Sequence, residues 1–506
     1  MCCNSVNRRA FLGMTSGMLA AAGAAVRAAE PLPEWPADYW DPDRPYRPAG
    51  AALKVKPLLM YATPQRREAA SWKSWSSILT HEAAAEEAGR IAAELSALAA
   101  RAGFPLEILP VAKVTAPEAA AEALGSGQDV AIVYAATGSG ALLRACLAGG
   151  DKTIIFVRKR SGPLYYWYEA LSVKYLRANA AAPGPEEPAV SVDDVVVDSQ
   201  DELRWRLQAF FAARNFTGAR VVALGGAGGK YAADAPAKAR ECHGLDIIEV
   251  GYDELAGRIR AAFEDRSRVA RAEAWAAAYA RLPGTKLETD QSFVVNAFLL
   301  YGIFKDILAE RRASIFTINS CMGTILPMAR TTACLTLSLL NDEGLVAFCE
   351  SDFVIIPAGI LLHFVARAPV FLHNSTFPHD GIVTCAHCTS PRRMDGARYA
   401  PARILTHYES EYGAAPKVAM PEGQALTFID PEYATGRWVG MRGEVIDNPF
   451  YECCRSQQDV RIRGPWRRLL AEIRDSHWVM AYGDHVRAAG YAARRCGIAW
   501  DPIEDA

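Results

Sequence analysis

Residues 195–250 read VVVDSQDELRWRLQAFFAARNFTGARVVALGGAGGKYAADAPAKARECHGLDIIEV. The short apolar runs at 195–198, 219–224 and 246–250 are interrupted by a stretch at 201–214 whose apolar residues recur at helical spacing. Strands that alternate with helices close into a parallel sheet with helices packed on its faces. The same alternation lies upstream, with apolar runs at 54–61, 129–135 and 153–157 and an Ala/Glu-rich helical stretch at 81–101. The Pro/Gly/Glu-rich segment 180–188 reads as a linker between two such units. Beyond about residue 368 the pattern changes to short runs such as 381–386 and 402–407 with Gly/Pro punctuation, and helical windows return only at 466–474 and 485–496. The predicted fold class is therefore α/β. Two doubly wound Rossmann-like domains, 51–185 and 186–368, precede an α+β or barrel-like C-terminal domain, 369–506.

The first 29 residues read as an export address. Arg8-Arg9 is followed by Phe11-Leu12 and then by a small-residue apolar stretch from Met14 to Ala25, the twin-arginine pattern, with cleavage expected near Ala28. That apolar run is too short to span a bilayer comfortably. The route carries folded proteins, which fits a chain that takes up its cofactor before export, and it implies a periplasmic or exported location. Residues 30–50 form a Pro-rich arm, expected to lie extended on the surface of its own or a neighbouring subunit.

The balance of charge excludes some classes. With 55 Lys+Arg against 57 Asp+Glu the net charge is -2, so no global field steers nucleic acid toward the chain. No segment after the address holds 18 uninterrupted apolar residues, so no integral membrane segment is expected in the mature chain. Of 12 cysteines, Cys2 and Cys3 leave with the address, and the rest are expected to be mostly buried thiols. The glycine loop Gly225-Gly226-Ala227-Gly228-Gly229-Lys230 fits no phosphate-binding pattern, since Tyr231 follows the lysine, and reads as a tight strand-to-helix connection.

Chemistry-bearing residues concentrate in the last third. Glu350 and Asp352 interrupt the apolar run Leu345-Val346-Ala347-Phe348-Cys349-Glu350-Ser351-Asp352-Phe353-Val354, and His373-Asn374 closes Val370-Phe371-Leu372. Carboxylates at the end of a buried strand are costly unless paired, hydrogen-bonded or bound to metal. This segment, with the strand 370–374 and the C-terminal Ser476-His477-Trp478, resembles the active-site region of L-fucose isomerase and the related L-arabinose isomerases. The resemblance implies a divalent-metal site with Glu350 at the Glu position, Asn374 at the Asp position 24 residues later, and His477 at the C-terminal His position. Mn2+ is the leading expectation, with Mg2+, Fe2+ and Zn2+ also compatible. Asn374 departs from the pattern, since an amide offers a neutral oxygen and cannot act as a base.

The resemblance further implies aldose–ketose isomerisation or epimerisation of a sugar through an ene-diolate, with Glu350 as ligand and base. Asp352, Asp380 and Glu409 are candidates for an acid that compensates for Asn374, and Asp352 is read with Glu350 as catalytic. It also implies a homo-oligomer with a small-molecule sugar substrate. His387, Arg393, His407, Glu409, Arg455, Trp72 and Trp75 are candidate substrate-binding residues. Tyr165-Tyr166-Trp167-Tyr168 offers further stacking surface. The rival is a non-catalytic periplasmic carbohydrate-binding protein on the same fold. Cys385-Ala386-His387-Cys388 with Cys453-Cys454 offers a third idea, a thiolate-metal or redox site.

Overall fold

The computed structural model describes residues 40–165, 167–178, 187–472 and 476–504. The expected export address at 1–29, the arm up to residue 39, Tyr166 and most of the expected linker at 180–188 lie outside the described residues, and so do the side chains of Trp167 and Tyr168. The chain is mixed α/β, with parallel sheets and a C-terminal antiparallel barrel, divided into two compact units.

One unit comprises Gly50–Asn215 and Arg487–Gly497. Its sheet is parallel, in the order Leu106–Ile108, Leu53–Met60, Val130–Ala135, Thr153–Val157, Val195–Val197, with Ala112–Val114 paired to the C-terminal half of Leu53–Met60. The central strands Val130–Ala135 and Thr153–Val157 are buried at every position, as their unbroken apolar character requires when both faces are covered. Helix His81–Ala100 starts at Thr80, whose side chain accepts from Ala83 N, and buries Ala84, Glu87, Ile91, Leu95 and Leu98 along one face. Buried Glu87 is neutralised by Arg158, 2.5 Å away.

The expected boundary near 185 is corrected. Val195–Val197 pairs parallel with Ile155–Val157, and helix Gln200–Phe216 follows it. Composition marked 180–188 as a linker, yet the chain returns to the same sheet, stitched by Arg177 N to Val190 O and Val192 N to Arg177 O. An open strand edge, invisible to local composition, captured the valine run.

The other unit contains the described arm from Trp40 to Ala49, Phe216–Val486 and the chain from Ile498. Its parallel sheet has the order Val346–Phe348, Ile315–Ile318, Arg220–Leu224, Asp246–Val250. Six antiparallel strands, Ala425–Glu432, His477–Tyr482, Phe371–Ser375, Ile382–His387, Ser456–Arg463 and Arg437–Asp447, form a ring because the last pairs back to the first. Ala499–Ile503 adds to Arg437–Asp447 in parallel. Phe371, Val383, Cys385, Phe428, Met441, Val460, Trp478 and Met480 fill the barrel core. Closure removes exposed strand edges. The barrel and the second parallel sheet belong to one compact unit, so the expected division at 368 is not a boundary between units.

The described part of the arm lies on its own chain. Trp40 is buried, with its ring 5.0 Å from Phe298, and Ala49 N donates to Gly344 O. Helix Gln291–Arg311 is long and apolar enough by length and composition to cross a membrane, and 61% of its most apolar window is buried within the protein.

Candidate metal centre

Strand Val346–Phe348 ends in a turn of unusual backbone. Glu350 and Ser351 have φ of 67° and 51°, the left-handed region, which costs non-glycine residues on the order of 1–2 kcal/mol each. The glycine loop after Arg220–Leu224 holds the turn in place. Gly228 N donates to Ser351 O at 3.2 Å, Phe353 N to Gly228 O at 3.0 Å, and Ser351 Oγ to Gly226 O at 2.9 Å. Gly225 and Gly226 have φ of 75° and 98°, and a Cβ on Gly225 would collide with the Tyr252 ring. The loop is a strand-to-helix connection, as read from sequence, leading to helix Ala235–His243. It also delivers Lys230, which sequence reasoning passed over.

Three donors converge above this turn. The ligand atoms of Glu350, His387 and His477 all lie within 4.8 Å of one another. His387 Nε2 is 3.5 Å from Glu350 Oε1, and His477 Nε2 is 3.5 Å from Glu350 Oε2. Donors about 2.1 Å from a shared ion stand about 3.0–3.4 Å apart, close to these separations. Both rings are buried, whereas the Glu350 side chain is 41% exposed. His387 ends strand Ile382–His387, and His477 begins strand His477–Tyr482.

Each imidazole is oriented through its other nitrogen. His477 Nδ1 lies 2.7 Å from Asp352 Oδ2, and His387 Nδ1 lies 3.3 Å from Thr389 Oγ1. Asp352 Oδ1 accepts from Lys230 N at 2.9 Å and Val354 N at 3.2 Å. Both of its oxygens are occupied, so Asp352 positions His477 and does not face a substrate as a second catalytic carboxylate would. Among the described residues His387 Nε2 is a buried polar atom with no hydrogen-bond partner, and it lies 3.5 Å from Glu350 Oε1. A buried nitrogen without a protein partner, beside a carboxylate and a second imidazole, offers a free lone pair to a divalent cation. The donor set therefore fits a metal.

Lys230 Nζ is 3.3 Å from Glu350 Oε2 and 3.5 Å from His477 Nε2. Contact with His387 first, then the nearby His477 ring and the Lys230 ammonium, hold the Glu350 carboxyl well below the usual carboxylate range despite partial burial. Glu350 stays anionic, which suits a ligand and weakens it as a base.

The remaining expectations divide. Asn374 sits opposite His477 in the antiparallel pair, so the two share a face of the sheet, but the third donor of the cluster is His387. His407 is buried, with Nδ1 3.4 Å from Ser410 Oγ; burial, then His387 and Arg455 nearby, lowers its pKa, while Glu409 is exposed. Arg455 is tied to Thr406, donating from Nε to its carbonyl at 2.7 Å. Arg393 is buried and donates to the carbonyls of Arg44, Asp342 and Ala397, which ties it to the arm. Trp72 and Trp75 belong to the other unit. Tyr165 is buried, its hydroxyl on Glu87, which removes it as a stacking surface.

The cysteines also separate. Cys385 lies in the barrel core, whereas Cys388 packs with Cys334 and Cys454. No protein-family model matches the chain, and no curated protein matches it.

Proposed function

We propose that the chain is an exported, metal-dependent enzyme similar to L-fucose and L-arabinose isomerases, acting on a sugar or sugar derivative by removing a proton next to a carbonyl. We read its two parallel sheets as doubly wound layers, and the active form as a homo-oligomer. The observation that carries this reading is the convergence of Glu350, His387 and His477 from three separate elements onto one point.

Glu350 Oε, His387 Nε2 and His477 Nε2 would hold the ion. One oxygen and two imidazole nitrogens suit Mn2+, Fe2+ or Zn2+ better than Mg2+, which prefers an oxygen shell. A divalent ion there would act as a Lewis acid, polarising a carbonyl and raising the acidity of the adjacent carbon. The chain's own residues supply the rest. Asp352 keeps the His477 proton on Nδ1, Thr389 steadies His387, and Glu350, held ionised, would serve both as a ligand and as the base that takes the carbon-bound proton. With two imidazoles present, the missing carboxylate at Asn374 no longer leaves the donor set short.

One observation favours the rival binding-protein reading. The Lys230 ammonium already lies at hydrogen-bond range of two donor atoms, a place a cation would share. Hydrogen–deuterium exchange in D2O, scanned over aldoses and ketoses with Mn2+ added, separates the two. Exchange at the carbon next to the carbonyl, lost in His387→Ala and His477→Ala, supports the enzyme; sugar binding with no exchange supports the rival.

A further inference from the structure

Lys230 is the charged group at the cluster that the proposed chemistry leaves without a task. Its main chain is fixed, because Lys230 N donates to Asp352 Oδ1 and the same loop is tied to residues 351–353 through Gly226 and Gly228. The side chain is 30% exposed, so its end is open on one side and placed on Glu350 Oε2 and His477 Nε2 on the other. A divalent ion bound by those same atoms would stand next to an ammonium held on a short, stitched loop. Glu350 is the one carboxylate shared by the two cations, and its single charge offsets only part of their repulsion, which a second anion between them would relieve.

The local charges define that anion. Glu350 and Lys230 cancel, Asp352 is engaged by His477 and two main-chain N–H groups, and a divalent ion then leaves the pocket cationic. Among the described residues Lys230 is the cation in contact with the cluster's donor atoms, and its side chain is partly exposed, while Arg455 is tied to Thr406. We propose that the substrate carries a carboxylate that sits between the ion and Lys230, so that the site takes sugar acids, hexuronates or hexonates, in preference to neutral sugars. A carboxylate has one oxygen for each partner, and its single charge matches a single ammonium. This inference rests on the metal-site reading above, and Lys230 is in it a specificity-determining residue.

The test is calorimetric titration of the Mn2+-loaded full chain with a panel of hexuronates and hexonates against the matching hexoses. Wild type, Lys230→Met and Lys230→Arg are compared, and D2O exchange is run on the same panel. Wild type should bind the best acid about tenfold or more tighter than its neutral counterpart, as a charge-assisted hydrogen bond allows. Lys230→Met should bring the two within about threefold of each other, Lys230→Arg should restore the preference, and Mn2+ content should be unchanged. Neutral sugars bound as tightly as acids by wild type, a preference that survives Lys230→Met, or no binding of any acid would overturn the inference. Exchange on neutral sugars without acid preference would leave the isomerase reading standing while this one falls. Acid preference without exchange would do the reverse.

Discussion

His477 Nδ1 lies 2.7 Å from Asp352 Oδ2, and the same imidazole turns Nε2 toward Glu350 at 3.5 Å. The carboxylate fixes which nitrogen carries the proton and therefore which one can bind a cation. Asp352→Asn keeps the shape but withdraws the charge. Metal affinity should fall about 10–100-fold, with the thermal midpoint nearly unchanged, as measured by competitive chelator titration and calorimetry.

Gly225 has φ of 75° and no room for a Cβ beside Tyr252. Gly225→Ala should destabilise the fold by about 1–3 kcal/mol, from left-handed strain and overpacking together. It should also weaken the stitching that holds Lys230 and the 350–353 turn. Chemical denaturation reads the first effect, and metal titration the second.

Burial pushes the imidazoles of His363 and His373 down to about 3. The unfolded rings titrate near 6.5, so below that pH the unfolded chain binds more protons than the folded one. Their contribution to stability is complete above about 6.5 and is lost as pH falls toward 3, by about 1.4 kcal/mol per unit for each ring. His373→Leu should flatten the acid limb of a pH–stability curve measured by denaturant unfolding.

Asp342 has the opposite sign. Burial raises its carboxyl to about 7, against the Arg392 and Arg393 main-chain N–H groups that its Oδ1 accepts. Its contribution is complete below the unfolded value near 3.9 and is lost as pH rises through 7. Asp342→Asn should remove that loss from the unfolding curve between pH 4 and 8.

Arg393 donates to the carbonyls of Arg44 in the arm and of Asp342 and Ala397, so Arg393→Ala should cost roughly 1–3 kcal/mol by removing these partners. Sugar affinity of the folded fraction should not change. A differential-scanning measurement paired with sugar titration distinguishes this from a substrate-binding role.

Much of the fold was legible because strands such as Thr153–Val157 and Asp246–Val250 are bounded by their own composition. Sheet membership was not, since the valine run 195–197 looks alike whichever edge it joins. At the site, Glu350 and His477 stood out as polar residues in apolar runs. His387 was visible as a pocket residue, and its place beside them depends on barrel closure, which no local spacing encodes. Lys230 was hidden because its loop matches no phosphate motif. Its importance arises from the bridge between Gly228 and Asp352, more than a hundred residues away along the chain.

The most direct measurement is the metal content of the purified full chain by elemental analysis, with His387→Ala and Glu350→Gln prepared in parallel. The account predicts close to one Mn, Fe or Zn per wild-type chain, and loss of it in both variants while their folds persist by circular dichroism. Wild-type protein that binds no ion after incubation with these metals, or His387→Ala protein that retains its ion, would contradict it.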